Sequence, residues 1–260
     1  MIKKMVVLLS IFSLTIGVES LQAKSYPGKP IELLCPYTPG GTTDLMARLI
    51  ADIGAKYLGQ PIIVISKPGG AGSIAAADVI SSGSDGYKVV LLSNFFHAIN
   101  VKTQKIPFDP SYVVPIANFY ELKIGMCVKG DSSWKSLKDL LDYAKKNPGN
   151  LRWSHHGRGA TIHIIPLSIF KKAGVETIDL PYKGGVEHLS ALLGGHIDAS
   201  SNNYDIVRDH VRAGTVRMLV VYSDRRFNDI PNVPCAVELG FTDVGKLATL
   251  FGLYAHKDTG

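Results

Sequence analysis

Cysteine is scarce in this sequence and does not occur at the spacing of a metal or redox motif. The 260 residues include three cysteines, Cys35, Cys127 and Cys235, and no two of them form a CxxC pair. An odd number permits one intramolecular disulfide at most, and buried free thiols are an equal alternative. The cysteines therefore indicate neither a zinc site nor a thiol redox centre.

The signature motifs of several enzyme classes are also absent. The chain has no GxxxxGK[ST] phosphate-binding loop, no GxGxxG dinucleotide fingerprint, no GxSxG nucleophile elbow and no HExxH zinc motif. Paired carboxylates for acid–base catalysis are not evident, and no block of basic residues points to nucleic acid. We therefore expect a protein that is not an enzyme, with no catalytic residues, no cofactor, no metal ion and no nucleic-acid partner.

The overall composition is that of a folded protein with a substantial core. Hydrophobic residues make up 46% and charged residues 19%, which excludes intrinsic disorder. The 26 glycines follow no three-residue period, which excludes collagen. The length suits two modest domains, and the formal net charge of +6 is compatible with an anionic small-molecule ligand.

Residues 1–23 have the pattern of a cleavable secretory signal peptide. Lys3 and Lys4 supply positive charge at its start, residues 5–18 are apolar, and Ala23 offers a small residue at the cleavage position. The apolar run is shorter than the ~20 residues that a membrane-spanning helix needs, and no later stretch is long and apolar enough. The sequence therefore predicts a soluble protein that is exported to the periplasm.

Short apolar runs alternate with amphipathic helical patterns along the rest of the chain. Four of these runs have the uninterrupted apolar character of strands that are buried on both faces: residues 31–35, 62–65, 89–92 and 218–221. The alternation of strands and helices predicts an α/β fold of βαβ units with mostly parallel sheets. A change of pattern near residues 121–125 indicates a domain boundary there.

Glycine-containing loops join predicted strands to predicted helices at residues 36–44, 67–73, 154–161 and 181–185. In open α/β sheets, ligands bind beyond the carboxyl ends of the strands. Glycine lets the backbone approach a ligand closely, and Thr42 or Thr43 can cap the helix that follows the first loop. Exposed N–H groups and helix dipoles at such loops favour an anion such as a carboxylate. Tight turns without a ligand are the alternative.

Three histidines in or beside the third loop, His155, His156 and His163, invite a metal or catalytic interpretation. Adjacent residues such as His155 and His156 rarely reach the same ion, and no acidic or cysteine ligand stands nearby in the sequence. We therefore expect these histidines to be hydrogen-bonded loop residues or to contact a ligand.

A series of short segments extends over almost the whole chain after residue 23. They lie at residues 26–31, 36–44, 58–61, 85–87, 98–100, 147–149, 181–185, 193–195, 231–234 and 238–240. Together, and in this order, they resemble the extracytoplasmic solute receptors of tripartite tricarboxylate transporters, often called Bug proteins. No single segment is specific enough to carry the resemblance.

The resemblance implies a two-lobed, type II-like periplasmic-binding-protein fold with a ligand cleft between the lobes. The first lobe would comprise residues 24–122 and 243–260, and the second lobe residues 123–242. A monomeric receptor of this kind would hold an organic carboxylate, largely through backbone N–H groups, and deliver it to a membrane permease or sensor. The residues expected to bind the ligand are Tyr37, Thr38, Pro39, Gly40, Gly41, Thr42, Thr43, Asp44, Gly70, Ala71, Gly72, Ser93, Asn94, Phe95, His155, His156, Gly157, Gly159, Ala160, Thr161, Lys183, Gly184, Asn202 and Asn203.

Several cleft positions depart from the family pattern. His155, His156, Phe95 and Phe96 stand where smaller or hydroxyl-bearing residues are more usual, and Asn202 stands where several relatives have aspartate. The additional rings favour an aromatic carboxylate over a small aliphatic one. Packing of Phe95 and Phe96 in the core is the alternative.

The sequence stops at Gly260, where the family pattern continues and returns to the first lobe. We therefore expect the C-terminal part of the fold to be truncated. Two alternatives to an active receptor follow. One is a truncated remnant that does not bind a ligand, and the other is an enzyme that uses His155, His156 or His163 in the same cleft.

Overall fold

The computed structural model describes residues 26–103, 105–245 and 247–260, and the strands in these ranges form two five-stranded sheets. The four strands predicted from apolar runs are among them. The strands are β1 (Ile31–Cys35), β2 (Ile62–Ser66), β3 (Lys88–Ser93), β4 (Val113–Glu121), β5 (Ile124–Lys129), β6 (Leu151–His155), β7 (Thr177–Pro181), β8 (Ala199–Asn203), β9 (Val216–Val221) and β10 (Leu250–His256). The longer helices are α1 (Thr42–Leu58), α2 (Ser73–Ser81), α3 (Leu137–Lys146), α4 (Thr161–Ala173), α5 (Gly185–Leu193) and α6 (Tyr204–Arg212).

The two sheets have equivalent strand orders. The first has the order β2-β1-β3-β10-β4 and the second the order β7-β6-β8-β5-β9. β1 pairs in parallel with β2 and β3, and β6 pairs in parallel with β7 and β8. In each sheet, consecutive βαβ units therefore bring the carboxyl ends of three parallel strands to one edge. We call the first sheet with its helices the first lobe, and the other the second lobe.

Both sheets are mixed, whereas the sequence pattern predicted mostly parallel sheets. β10 runs antiparallel to β3 and β4, and β5 runs antiparallel to β8 and β9. Parallel pairing between consecutive strands requires a crossover connection, usually a helix. The chain instead leaves the first sheet at Glu121, enters the second at Ile124, and returns to the first in β10. We propose these crossings as the lobe boundaries.

Helices cover both faces of the first sheet because alternate residues of a strand point to opposite sides. Leu33 of β1 belongs to the same apolar cluster as Ala47 of α1. Its neighbour Leu34 belongs to a second cluster with Ala75 and Val79 of α2. The two-lobed α/β fold predicted from the sequence is confirmed.

The core of the second lobe is centred on Trp153, which is fully buried in β6. Its indole N–H donates to the Thr177 hydroxyl at 3.1 Å, and its ring meets that of Phe170 edge to face, with centroids 5.5 Å apart. All three cysteines are buried and free, so the alternative of free thiols holds. In the described part of the chain, no helix is both long and apolar enough to cross a bilayer. The predicted signal peptide lies outside the described residues.

Candidate ligand-binding cleft

The loops that follow β1, β2, β6 and β7 meet between the two lobes. We call them the rim loops: residues 36–41, 67–72, 156–160 and 182–184. A Cβ atom added to Gly184 would overlap the Thr38 side chain of the opposite lobe. A Cβ atom added to Gly157 would lie 3.2 Å from the Cβ atom of Ala71. The rim loops therefore form two facing walls that are in contact with each other.

A cavity of about 310 Å³ lies between these walls, within the size range of small-molecule sites. Its lining residues are Tyr37, Gly69, Gly70, Ala71, His156, Gly157, Arg158, Pro181, Tyr182 and Lys183. A much smaller cavity of about 10 Å³ shares Tyr37 and His156 with the first one. We call them the main cavity and the small cavity.

Helix α1 begins without the threonine cap that the sequence predicted. Its N-cap is Gly41, and neither Thr42 nor Thr43 is outside the helix, where a capping residue must lie. The Asp44 carboxylate instead reaches back to accept the Gly40 N–H at 3.0 Å. Gly40 has a φ of +83°, a conformation that favours glycine, so the first rim loop depends on it.

The five helices that begin at the cleft share the absence of a side-chain cap. Their N-cap residues do not accept a hydrogen bond from the first turn through a side chain: Gly41, Gly72, Ala160, Gly184 and Asn203. In contrast, α3 does not follow a rim loop and has a complete capping box, formed by Ser136 and Asp139. The helices at the cleft therefore present their positive dipole ends without a side-chain cap, an arrangement that favours an anion.

Behind the third rim loop, His155, His163 and Asp179 form a polar cluster. The Nε2 atoms of His155 and His163 lie 3.1 Å and 3.6 Å from Oδ2 of Asp179. The Arg158 guanidinium contacts the same oxygen at 2.9 Å. Burial lowers the pKa of His155 and lowers the pKa of His163 to about 4, so both imidazoles are neutral at pH 7.

This cluster has the residue types of a metal site but not its hydrogen bonding. The Gly157 N–H donates to Nδ1 of His155 at 3.2 Å, and the Gly159 N–H donates to Nδ1 of His163 at 3.1 Å. A neutral imidazole that accepts at Nδ1 has its proton on Nε2. A metal-bound histidine instead presents a lone pair to the ion and donates from its other nitrogen. The cluster therefore fixes the conformation of the rim loop.

Two further imidazoles, His156 and His188, pack together below the cleft. Their rings meet edge to face, with centroids 5.7 Å apart. Nδ1 of His188 lies 3.1 Å from the Ser154 hydroxyl and 3.4 Å from the Ser200 hydroxyl. His188 was not predicted, because nothing in the linear sequence indicates that the packing of α5 on β6 brings it against His156.

Six of the predicted ligand-binding residues line the main cavity: Tyr37, Gly70, Ala71, His156, Gly157 and Lys183. Ser93, Ala160 and Thr161 line the small cavity. The main cavity also has four lining residues that were not predicted: Gly69, Arg158, Pro181 and Tyr182. All four lie in or next to a rim loop, so including every residue of these loops would have found them.

Other predicted residues connect the lobes. The Asn203 amide donates to the Thr42 hydroxyl of the opposite lobe at 3.4 Å. Thr42 and Thr43 line a narrow crevice with Tyr120. Asn202 is fully buried and its amide donates to Ser200 at 3.2 Å. The predicted residues that line neither the main nor the small cavity include Thr38, Pro39, Gly40, Gly41, Asp44, Gly72, His155, Gly159 and Gly184.

Residues 94–96, which follow β3, have a structural role and do not line the main cavity or the small cavity. The Asn94 amide donates to the Ala248 carbonyl at 3.1 Å and accepts the Leu250 N–H at 3.0 Å, which joins β3 to the start of β10. Phe95 is 6% exposed and lines neither cavity. Phe96 is fully buried in the apolar cluster that includes Tyr254. The rings that line the main cavity are instead those of Tyr37, His156 and Tyr182.

Comparison with known proteins identifies the class to which this cleft belongs. A family model described as "Tripartite tricarboxylate transporter family receptor" matches residues 46–260. The chain belongs to this family. The resemblance noted in the sequence is therefore confirmed, and this receptor, like its family, has a solute-binding role and is not an enzyme.

The receptor is similar to curated proteins over nearly its full length. It is 35% identical to the "UPF0065 protein in gbd 5'region" of Cupriavidus necator, with 92% of this chain and 72% of the relative covered. It is 30% identical to "Protein BugT" of Bordetella pertussis, with 98% of this chain and 79% of the relative covered.

Three solved structures are similar to this receptor in fold. The periplasmic binding protein BugD has a TM-score of 0.83 at 26% identity, covering 90% of this receptor and 79% of BugD. Rpa4515 of R. palustris, solved with adipate, has a TM-score of 0.84 at 28% identity, with 90% and 79% covered. MatC from Rhodopseudomonas palustris, solved with bound malate, has a TM-score of 0.82 at 26% identity, with 90% and 80% covered.

Proposed function

We propose that this receptor captures an organic carboxylate in the cleft between its lobes and delivers it to a membrane permease or sensor. One observation carries the proposal: the four rim loops, each followed by a helix without a side-chain cap, supply nine of the ten residues that line a cavity of about 310 Å³. The adipate and malate in two related structures agree with a carboxylate ligand. The N-terminus of each of these helices places a positive dipole end at the rim of the cleft.

The basic side chains at the main cavity have a secondary part in this proposal. The Arg158 guanidinium already pairs with Asp179 at 2.9 Å. The side chains of Arg158 and Lys183 are exposed, so water and salt screen their charge. We therefore assign the main attraction for the carboxylate to backbone N–H groups and helix dipoles.

Export and delivery complete the proposal. The pattern of residues 1–23 supports a cleavable signal peptide, and the family is that of receptors for a membrane transporter. The receptor would act as a periplasmic monomer that meets its permease or sensor with the ligand bound. Pull-down of this partner from membranes by the loaded receptor, and not by the empty one, tests the delivery step.

Ligand binding is tested by denaturant unfolding in the presence of a panel of acids and their neutral amides. We expect an aliphatic or aromatic carboxylate to raise the free energy of unfolding by about 2.7 kcal/mol at a hundredfold excess over Kd, and the unfolding midpoint to rise accordingly. The matching amide should leave the midpoint unchanged. Stabilisation by the amide alone, or by no member of the panel, would contradict the proposal, and the latter result would favour a remnant that does not bind.

A further inference from the structure

Two residues that line the small cavity each have a buried polar atom without a hydrogen-bond partner among the described residues. It is lined by Tyr37, Ser93, Leu122, Ile124, His156, Ala160, Thr161, Ile162, Thr249 and Phe251. Nδ1 of His156 and the hydroxyl oxygen of Thr161 are both buried, and among the described residues neither has a hydrogen-bond partner. The two residues are 7% and 3% exposed. Buried polar atoms are nearly always hydrogen-bonded in folded proteins. Two such atoms without partners on the walls of one cavity therefore point to a hydrogen-bonding group that occupies the cavity when a ligand is bound.

The size of the small cavity limits what that group is. Its volume of about 10 Å³ is roughly that needed for one water-sized oxygen atom. The small cavity shares Tyr37 and His156 with the main cavity, so the two cavities lie on either side of this edge-to-face ring pair. A substituent of a ligand in the main cavity would reach the small cavity by displacing one of the two rings.

The charge state of the walls favours an uncharged group. No lysine, arginine, aspartate or glutamate lines the small cavity. Burial and the neighbouring His155 imidazole lower the pKa of His156 to about 3, and His188 on its other side is also held neutral by burial. A neutral imidazole offers one donor and one acceptor, and the Thr161 hydroxyl can act as either. A hydroxyl group complements this set, whereas a carboxylate would be buried without a cation.

We infer that the small cavity is a subsite for a hydroxyl group on the bound carboxylate, recognised by His156 and Thr161. The inference rests on the proposed carboxylate-binding function and adds a specificity determinant to it. In the subsite, the ligand oxygen donates to one wall group and accepts from the other, which satisfies both unpaired atoms. The ring of His188 packs against His156 and acts as a positioning residue for it.

Calorimetric titration with matched acids tests the subsite. The probes are succinate with L-malate, and benzoate with 4-hydroxybenzoate, each pair differing by one hydroxyl group. For the pair that fits the main cavity, we expect the wild-type receptor to bind the hydroxylated acid about tenfold more tightly, the effect of one good hydrogen bond. Thr161→Val and His156→Phe should each bring the ratio of the two Kd values close to one.

Thr215→Val is the matched control, because it removes an exposed hydroxyl from the second lobe that bonds only locally to His210. It should retain the wild-type ratio. If His156→Phe fails to fold, the Kd ratio of Thr161→Val still tests the subsite. The Kd ratio of the wild-type receptor also tests it without any variant. Equal binding of both acids by the wild type, or an unchanged ratio in Thr161→Val, would overturn the subsite while leaving carboxylate binding intact. Failure to bind any acid would overturn both.

The pH dependence of the ratio gives a second readout. Because His156 is neutral, the preference for the hydroxylated acid should be constant between pH 5.5 and pH 8, with about the tenfold ratio throughout. A preference that appears only at the acidic end would indicate an imidazolium recognising negative charge, and would overturn the assignment of a neutral hydroxyl subsite.

Discussion

The rings of Tyr37 and His156 meet edge to face across the two lobes, with centroids 4.7 Å apart and planes inclined by 74°. Tyr37 belongs to the rim loop after β1, and His156 belongs to the equivalent loop after β6. Both line the main cavity and the small cavity, so this pair lies between them. In the proposed site, a ligand in the main cavity would meet one aromatic ring from each lobe.

Gly184 is predicted to control closure of the cleft. A Cβ atom at this position would overlap the Thr38 side chain, so Gly184→Val should separate the rim loops and weaken carboxylate binding by tenfold or more. The neighbouring Lys183→Ala variant removes a charge without crowding the loop and should weaken binding less. Calorimetry with the tightest-binding acid measures both variants. Normal binding by Gly184→Val, with loss of binding by Lys183→Ala, would make a side-chain salt bridge the main anchor instead.

Asp44 is predicted to stabilise the start of α1. It is buried and accepts from the Gly40 N–H and from Arg48, both at 3.0 Å. Asp44→Ala should lower the free energy of unfolding by about 1–3 kcal/mol, because buried N–H and charged groups lose their acceptor. Asp52→Ala is the control in the same helix, since Asp52 also pairs with a basic residue four positions on but is exposed. Asp52→Ala should lower the free energy of unfolding by less than about 0.5 kcal/mol. Denaturant unfolding measures both variants, and an equal loss of unfolding free energy in the two would contradict the prediction.

Stability is predicted to fall in mild acid because of His163. Its pKa is about 4 in the folded receptor and 6.5 in an unperturbed imidazole, so between these values the unfolded chain binds a proton that the folded chain does not. Its contribution to stability is therefore complete above pH 6.5 and is lost as the pH falls towards 4. His163→Gln should reduce the slope of unfolding free energy against pH by up to about 1.4 kcal/mol per pH unit. The exposed His196→Gln is the control, and an identical slope for wild type and His163→Gln would refute the assignment.

Phe96 is predicted to serve the core and not the ligand. Phe96→Ala should cost about 3–5 kcal/mol of unfolding free energy, because the ring is fully buried between β3 and its neighbours. The order of affinities among the carboxylates should not change. Tyr182→Ala is the informative contrast, since this ring lines the main cavity and is only partly buried. If Phe96→Ala changed the order of affinities and Tyr182→Ala did not, the assignment of Tyr182, and not Phe96, to the ligand-binding cavity would be wrong.

The features that depend on local sequence were accessible without coordinates. The apolar run at residues 31–35 is β1. Leu137, Leu140, Leu141 and Ala144 have the i, i+3, i+4, i+7 spacing of one helix face; all but the partly buried Leu141 are buried in α3. The rim loops were located because glycine, strand ends and helix starts are each local signals. These loops supply most of the lining of the main cavity.

The features that depend on contacts between distant segments were not accessible. Nothing near Asp179 in the sequence indicates that it joins His155 and His163, because that contact requires β7 to pair with β6. The antiparallel pairing of β10 likewise depends on a segment that returns from the other lobe. Capping of α1 was assigned to a threonine, although Asp44 one turn in reaches back to the loop.

Binding of a carboxylate to the wild-type receptor, compared directly with its amide, tests the central claim. Calorimetric titration at pH 7 should give a saturable isotherm with one site for at least one carboxylate, and no measurable heat of binding for the corresponding amide. Because the attraction is assigned to helix N-termini inside a closed cleft, the affinity should survive an increase in salt that screens exposed charges. Equal binding of the acid and its amide, or loss of all binding at moderate salt, would contradict the account.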